Sequence, residues 1–327
     1  MVYFFLTHLR RFRFALSMKR SLTLIIWCLF ILPGYGQSLS FTLKDYITLP
    51  RTRNLHGISG LEHVPARQEW QLAGDRGQYH TFRQLHQLTD WACAPDSASH
   101  TGLYLEAIRY DAPSDTYYFA VENDQESYVG FKRHAMPRAD EPFNRLPLPH
   151  AVPAPKTNKG IEGLALTAGY LWVAPEAGSA EEATTDNALI HFYRYRKDRD
   201  TVVLDAEFSY EIDRNVCPGE ALGGVSEIIA VPGEENHLLV LERCYEKTTR
   251  TVTAKLYEAR ADETTRRLIK FKDKPAFDFN NHNGFHPDNL EAMTWGADQD
   301  GRKVLLIVSD DNSGKSQWTQ VITLEMQ

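Results

Sequence analysis

The sequence is poor in several things that would assign it quickly. No basic run interleaved with aromatics occurs after residue 36, and the net charge is -7, which together exclude an ordinary nucleic-acid binder. No H-E-x-x-H pattern is present and cysteines number four in 327 residues, so a zinc site lacks its usual ligands. No G-x-S-x-G elbow is present. The nearest stretch, "HGISGL", sets Gly57-Ile58-Ser59-Gly60 one residue out of register, with no helical pattern behind it. No apolar run reaches the roughly 20 residues that span a bilayer. Long helical periodicity is missing after residue 36 as well. What is present is ordinary globular material, 43% hydrophobic and 24% charged, with Gly, Pro, Asp and Asn punctuating short apolar runs. That is an all-β pattern.

The N-terminus reads as a signal peptide over residues 1–36. Met18-Lys19-Arg20 is a charged start, Leu22 to Leu32 an apolar core, and Gly34-Tyr35-Gly36 supplies small residues before a cut at Gln37. Met18 is an alternative start, and a membrane anchor is an alternative fate. The sequence favours export, to the periplasm or the medium, with no stable membrane insertion after cleavage. Cys28 leaves with the signal. Of Cys93, Cys217 and Cys244, the last two flank one expected hairpin, so they are the expected disulfide and Cys93 the spare thiol. Three reduced thiols are the alternative.

The chain repeats itself at a propeller-like interval. The stretches "GISGLEHVPARQEWQLAGDRG", "YLEAIRYDAPSDTYYFAVEND", "NKGIEGLALTAGYLWVAPEAG", "GVSEIIAVPGEENHLLVLERC" and "NLEAMTWGADQDGRKVLLIVSDDN" share one plan. A small or acidic residue opens an apolar strand, a turn follows, and a second apolar strand ends in an acid. In the third stretch Ala168-Gly169 is a two-residue hairpin signal, which sets Glu162 and Glu176 at one edge. The starts at Ser59, Glu106, Glu162, Glu227 and Glu291 have the spacing of propeller blades. The expected fold is therefore an all-β propeller over residues 37–327. Five repeats are visible, and the longer late intervals suggest a sixth blade. "ALIHFYRYRKD" and "VVLDAEFSYEI" would supply outer strands. Phe41 to Leu49 and Trp318 to Met326 would pair and close the ring.

Radial hairpins with one edge up place Glu106, Glu122, Glu162, Glu176, Glu227, Glu242, Glu291 and Asp310 in a crown around the channel mouth. Like charges so gathered need protons, arginines or a cation. Oxygen-only donors, with Asn123, Asn289 and Asn312 nearby, favour Ca²⁺ over Zn²⁺. The alternative is that each acid merely caps a turn.

At these residues the sequence resembles the phytase-like family, "esterase-like activity of phytase", of exported bacterial proteins. The resemblance rests on "GISGLE…LAGDRG", "NKGIEGLAL…LWVAPE", "VSEII…HLLVLERCY" and "NLEAMTW…LLIVSDDN", and covers about His56 to Asn312. It implies a β-propeller and a phosphoester or carboxylester hydrolase dependent on Ca²⁺, acting on a small-molecule substrate. Ala107 and Ala292 stand where the family pattern has glycine after the glutamate. Few rim arginines are present, Arg76 and Arg243, which weighs against phytate itself. With Asp75 and His56 these are the candidate catalytic residues, His56 as general base. His282 and His286, four apart in "NNHNGFHPDN", lie in a loop rather than on a metal-binding helix. The alternative function is a noncatalytic propeller that binds a ligand or partner at its rim around a structural cation.

Overall fold

The structure is a computed structural model that describes residues 38–51, 55–83, 85–149, 159–177, 189–198, 201–213, 216–217, 223–246, 248–271, 274–282, 284–314 and 316–327. The expected signal peptide lies outside the described residues. So do Lys156 to Asn158 and the acidic stretch 178–188.

The chain enters on β1 (Phe41–Thr48) and then builds five units of four strands. Blade 1 is β2 (Ile58–Val64), β3 (Glu69–Gly74), β4 (Gln78–Arg83) and β5 (Ser97–His100). Blade 2 is β6 (Leu105–Asp111), β7 (Thr116–Glu122), β8 (Ser127–Arg133) and β9 (Asn144–Arg145). Blade 3 is β10 (Ile161–Leu166), β11 (Tyr170–Pro175), β12 (Leu189–Lys197) and β13 (Val202–Glu211). Blade 4 is β14 (Gly224–Ala230), β15 (His237–Glu246), β16 (Thr251–Asp262) and β17 (Arg267–Lys270), with the short β18 (Phe277–Asp278) paired to β16. Blade 5 is β19 (Asn289–Trp295), β20 (Val304–Asp310) and β21 (Gln320–Met326), and β1 is its outermost strand.

That last pairing closes the ring. β1 runs antiparallel to β21, with Phe41 opposite Met326 and Thr48 opposite Gln320. The N- and C-terminal strands thus cover each other's edges, as the sequence pattern predicts. The innermost strands β2, β6, β10, β14 and β19 each touch the next, and β19 returns to β2. Five blades complete the circle, so the sixth blade suggested by the late intervals is not formed among the described residues. The extra length goes instead into the long strands β13, β15 and β16 and into the connection through β18. β13 also pairs in parallel with β17, joining blades 3 and 4 edge to edge.

Why the strands read as continuous apolar runs is clear from the core. Each blade is buried on both faces. Along β20, Leu305 and Ile307 pack towards blade 4, while Val304, Leu306 and Val308 pack towards blade 1. Five such clusters fill the five interfaces between blades. Cys217 and Cys244 form a disulfide and Cys93 is free and exposed, as the sequence predicts.

Candidate functional site

Every inner strand carries one extra residue against its partner, at the same place. The bulged residues are Ser59, Glu106, Glu162, Ser226 and Glu291. A bulge takes a side chain out of the ladder and re-aims it. Each second strand passes this point, and the residue just beyond it is Asp75, Glu122, Glu176, Arg243 or Asp310. Two residues from each of five blades therefore meet at one end of the channel. Seven of the ten are carboxylates.

The electrostatics follow from burial and crowding. Burial first, then Glu291, Asp75, Glu122 and Asp310, hold Glu106 well above the usual carboxylate range. Burial, then Glu106, Glu176, Glu291 and Glu122, do the same to Glu162. Apart from Glu122 beside Glu106 and Glu176 beside Glu162, those partners stand on other blades, so the groups converge across the channel. Burial pushes Glu122 up to about 7 even though its Oε2 accepts the Gly160 N–H at 2.6 Å. Asp310 is pushed up to about 8, by burial and then by Glu291. The buried Oε1 of Glu122 and Oδ1 of Asp75 have no hydrogen-bond partner among the described residues.

One buried guanidinium answers this set. Arg243 reaches from blade 4 to Glu291 at 2.8 Å and to the Asn289 side-chain oxygen. Asn289 in turn donates to Glu291 at 2.7 Å. Burial opposes the Arg243 charge, but Glu291, Glu176, Glu162 and Asp310 outweigh it and raise its pKa. The same contacts hold Glu291 to about 7, where burial alone would lift it further. Lys159 is a more exposed contributor, 3.6 Å from Glu176.

Beside Asp75 and Asp310 sits a second arrangement. His56 Nδ1 lies 2.6 Å from Asp311 Oδ2. The Asp311 Oδ1 accepts the N–H groups of Gly57 at 3.2 Å and Ser313 at 3.0 Å. Asp311 is buried, while about a third of the His56 side chain is open. A carboxylate only accepts, so Nδ1 carries the proton and Nε2 is the basic nitrogen.

A family model described as phytase-like, "esterase-like activity of phytase", matches residues 53–313. The chain belongs to the phytase-like family. An endo-arabinase from Bacteroides thetaiotaomicron has 10% identity and a TM-score of 0.47, over 88% of this chain and 97% of that one. The WD40 β-propeller domain of Doa1 has 8% identity and a TM-score of 0.37, over 87% and 96%. A search of curated proteins finds no match. As a phytase-like protein the chain is a hydrolase-like propeller, and no helix among the described residues is long and apolar enough to cross a membrane.

Of the eight expected metal-binding acids, the phytase-like propeller brings six together: Glu106, Glu122, Glu162, Glu176, Glu291 and Asp310. It brings Asp75 to the same mouth. Glu227 and Glu242 are placed elsewhere, which corrects the sequence reading of blade 4. Each is one residue off the crown position, taken by Ser226 and Arg243. Glu227 points into the channel wall, where its Oε1 accepts the N–H groups of Leu164 and Ile228 and its Oε2 lies 2.7 Å from Arg109. Burial pushes it up to about 8. Glu242 is buried between blades 3 and 4 against Tyr210, Lys270 and the Asp213 N–H.

The sequence reading passed over Arg109, Asp311 and Ser226. Arg109 is 3% exposed and spans the channel below the crown. It donates to the carbonyls of Leu61, Ile108 and Ile228, which come from blades 1, 2 and 4. Its sequence signal is a charge where the third, fourth and fifth repeats have Ala165, Ile229 and Thr294 and the first has Glu62, which stands 3.7 Å from it. Asp311 had a signal, the doubled acid of "SDDN". Arg76 lies 4.0 Å from Asp75 with its side chain largely open. Asn123 closes a turn by accepting the N–H groups of Gln125 and Glu126. His282 stacks on Phe277, and His286 faces a different cavity. Ala107 and Ala292 pack between blades rather than at the mouth. The reason is close approach of inner strands: a Cβ at the equivalent Gly163 would stand 2.9 Å from the Ile228 nitrogen.

The crown's donor chemistry fits a hard cation. Its oxygens are carboxylates and an amide, two of them are buried without a partner, and one arginine faces seven acids. Among the described residues no three His, Cys, Asp or Glu side chains already converge as a ready-made metal cage.

Proposed function

We propose that the protein is an exported, cation-dependent hydrolase of phosphate or related esters. The observation that carries this reading is the meeting of seven carboxylates from four blades around one guanidinium. Asp75, Glu106, Glu122, Glu162, Glu176, Glu291 and Asp310 are the residues that would hold a cation, with Ca²⁺ favoured by the all-oxygen donor set. Bound there, a divalent cation supplies Lewis-acid polarisation of an ester oxygen and offsets the crown's charge. Without such compensation the crown would repel an anionic ester, since like charges at this density oppose one another.

The chain's own residues supply the rest. His56 takes a proton from the attacking water at Nε2. Asp311 keeps the proton on Nδ1, orients the ring and stabilises the imidazolium as it forms. Arg243 stays paired with Glu291 and limits how much of the crown must be protonated. Arg76, open at the mouth, meets the anionic oxygens of an incoming ester. Export is supported by the signal-like N-terminus and by the Cys217–Cys244 disulfide, which persists in oxidising compartments.

A second reading is a ligand-binding propeller without turnover. It is favoured by one observation, the lack of three converged ligand side chains among the described residues. A screen of 4-nitrophenyl phosphate, phytate, 4-nitrophenyl acetate and lactones, with Ca²⁺ and after chelation, separates the two. The hydrolase reading expects turnover that chelation abolishes and that His56→Ala lowers at least about a hundredfold. No turnover on any substrate, with Ca²⁺ still bound, favours the binding reading.

A further inference from the structure

A second cavity opens on the same face as the crown, between blades 4 and 5. It holds about 410 Å³ and is walled by Tyr245, Arg250, His286, Asp288, Gln317 and Trp318. Ligand sites occupy this size range. It adjoins the crown directly. Tyr245 is two residues beyond Arg243 on β15 and so faces the same way. Asp288 accepts the N–H of Asn289, the residue that holds Arg243 and Glu291.

Its walls are built in a particular way. Trp318 is 44% exposed, yet it is held firmly. Its backbone N–H donates to Asp288 at 2.7 Å, its backbone carbonyl accepts the Ser309 hydroxyl at 2.7 Å, and Arg51 stacks 3.9 Å from its ring centroid. Arg51 is itself fixed by a bond to the Gln317 carbonyl. An indole with one face stacked and the rest open is a platform for a second flat group. Tyr245 is 38% exposed on the other side. Arg250 sits in the left-handed region at φ 58°, anchored by its N–H to the Glu246 carbonyl. Its guanidinium has no carboxylate partner among the described residues, in a chain with 43 acids to 36 Lys and Arg. The His286 ring has no partner among them either. Aromatic surface and two unpaired basic groups thus share one cavity.

We infer that this cavity is a recognition subsite for an aromatic anion, with the ring on Trp318 and the negative group on Arg250 and His286. As the place where a substrate's leaving group or acyl group sits, it rests on the hydrolase reading. As a binding site, it stands on the cavity alone. Its position would let an ester reach from the crown into it, so that an aryl ester carrying a carboxylate is held at both ends.

Calorimetry on the full mature chain tests this without any turnover. Benzoate carries ring and charge, acetate the charge alone, and benzyl alcohol the ring alone. Benzoate is expected to bind at least tenfold more tightly than either of the others. Trp318→Ala and Arg250→Ala are each expected to weaken benzoate at least tenfold, with Arg250→Lys intermediate because it keeps charge but loses the planar fork. Unchanged near-ultraviolet circular dichroism will show that these surface variants stay folded. Benzoate binding no better than acetate, or binding that both alanine variants leave intact, overturns the inference. Benzoate binding in a protein that hydrolyses no ester keeps the subsite and removes the hydrolase reading instead.

Discussion

Arg243 and Glu242 are neighbours in sequence with unrelated jobs. Arg243 is the guanidinium of the crown. Glu242 is fully buried behind it and tied to Tyr210 and Lys270. The sequence reading gave the crown position to Glu242 and, on the partner strand, to Glu227. Side chains alternate along a strand, so a one-residue slip moves a side chain to the other face. Nothing in "VSEII" or "LERC" marks which residue is bulged, because a bulge is a property of the pairing. Two substitutions separate the positions. Glu162→Gln should weaken Ca²⁺ binding on the order of tenfold, leave the fold intact, and keep or raise the melting temperature in chelator by removing a repelled charge. Glu242→Gln should leave Ca²⁺ affinity unchanged and destabilise the fold by about 2 kcal/mol, since it strips Lys270 of its buried partner. Titration calorimetry and thermal melts read both. Equal losses of Ca²⁺ affinity in the two variants would contradict the assignment of crown positions.

At the scale of elements, the hairpins, outer strands and ring-closing β1–β21 pair were legible because each follows from local apolar periodicity and turn residues. The blade count was not. Interval length cannot distinguish an extra blade from longer strands and connections, and here β15, β16 and β18 absorb it. Glycines show how tightly the elements meet at the mouth. Gly57 has φ +62° and a Cβ there would stand 2.1 Å from Asp75 Oδ1. Gly57→Ala should therefore cost at least about 1 kcal/mol from the left-handed backbone alone and displace Asp75. A stability loss in denaturant melts together with weaker cation binding is expected, and an unchanged melt would refute the local geometry. The disulfide has a separate role. It closes 27 residues between the segment before blade 4 and β15, next to Arg243. Chain entropy assigns such a loop about 3.5 kcal/mol. Cys217→Ser with Cys244→Ser should lose stability of that order, read by chemical denaturation, and no loss would mean that strand pairing alone holds the segment.

For the whole molecule, the crown couples stability to protons. The folded protein holds Glu122 and Glu291 at about 7 and Asp310 at about 8, and holds Glu106 and Glu162 well above 4.5, all chiefly through burial. In the unfolded chain these groups titrate near 4.5 for Glu and 3.8 for Asp. Between those values the folded state binds more protons than the unfolded one. Its stability is therefore full below about pH 4 and lost as pH rises through the folded values towards pH 8. Under the proposed function a bound cation would replace the protons and remove that loss. The most direct measurement is the melting temperature of residues 37–327 from pH 5 to pH 8, in chelator and in Ca²⁺. The account predicts a fall with rising pH in chelator, recovery by Ca²⁺ at pH 8, and little effect of Ca²⁺ at pH 5. A melting temperature that stays level across this range in chelator, and that Ca²⁺ does not move at pH 8, would contradict it.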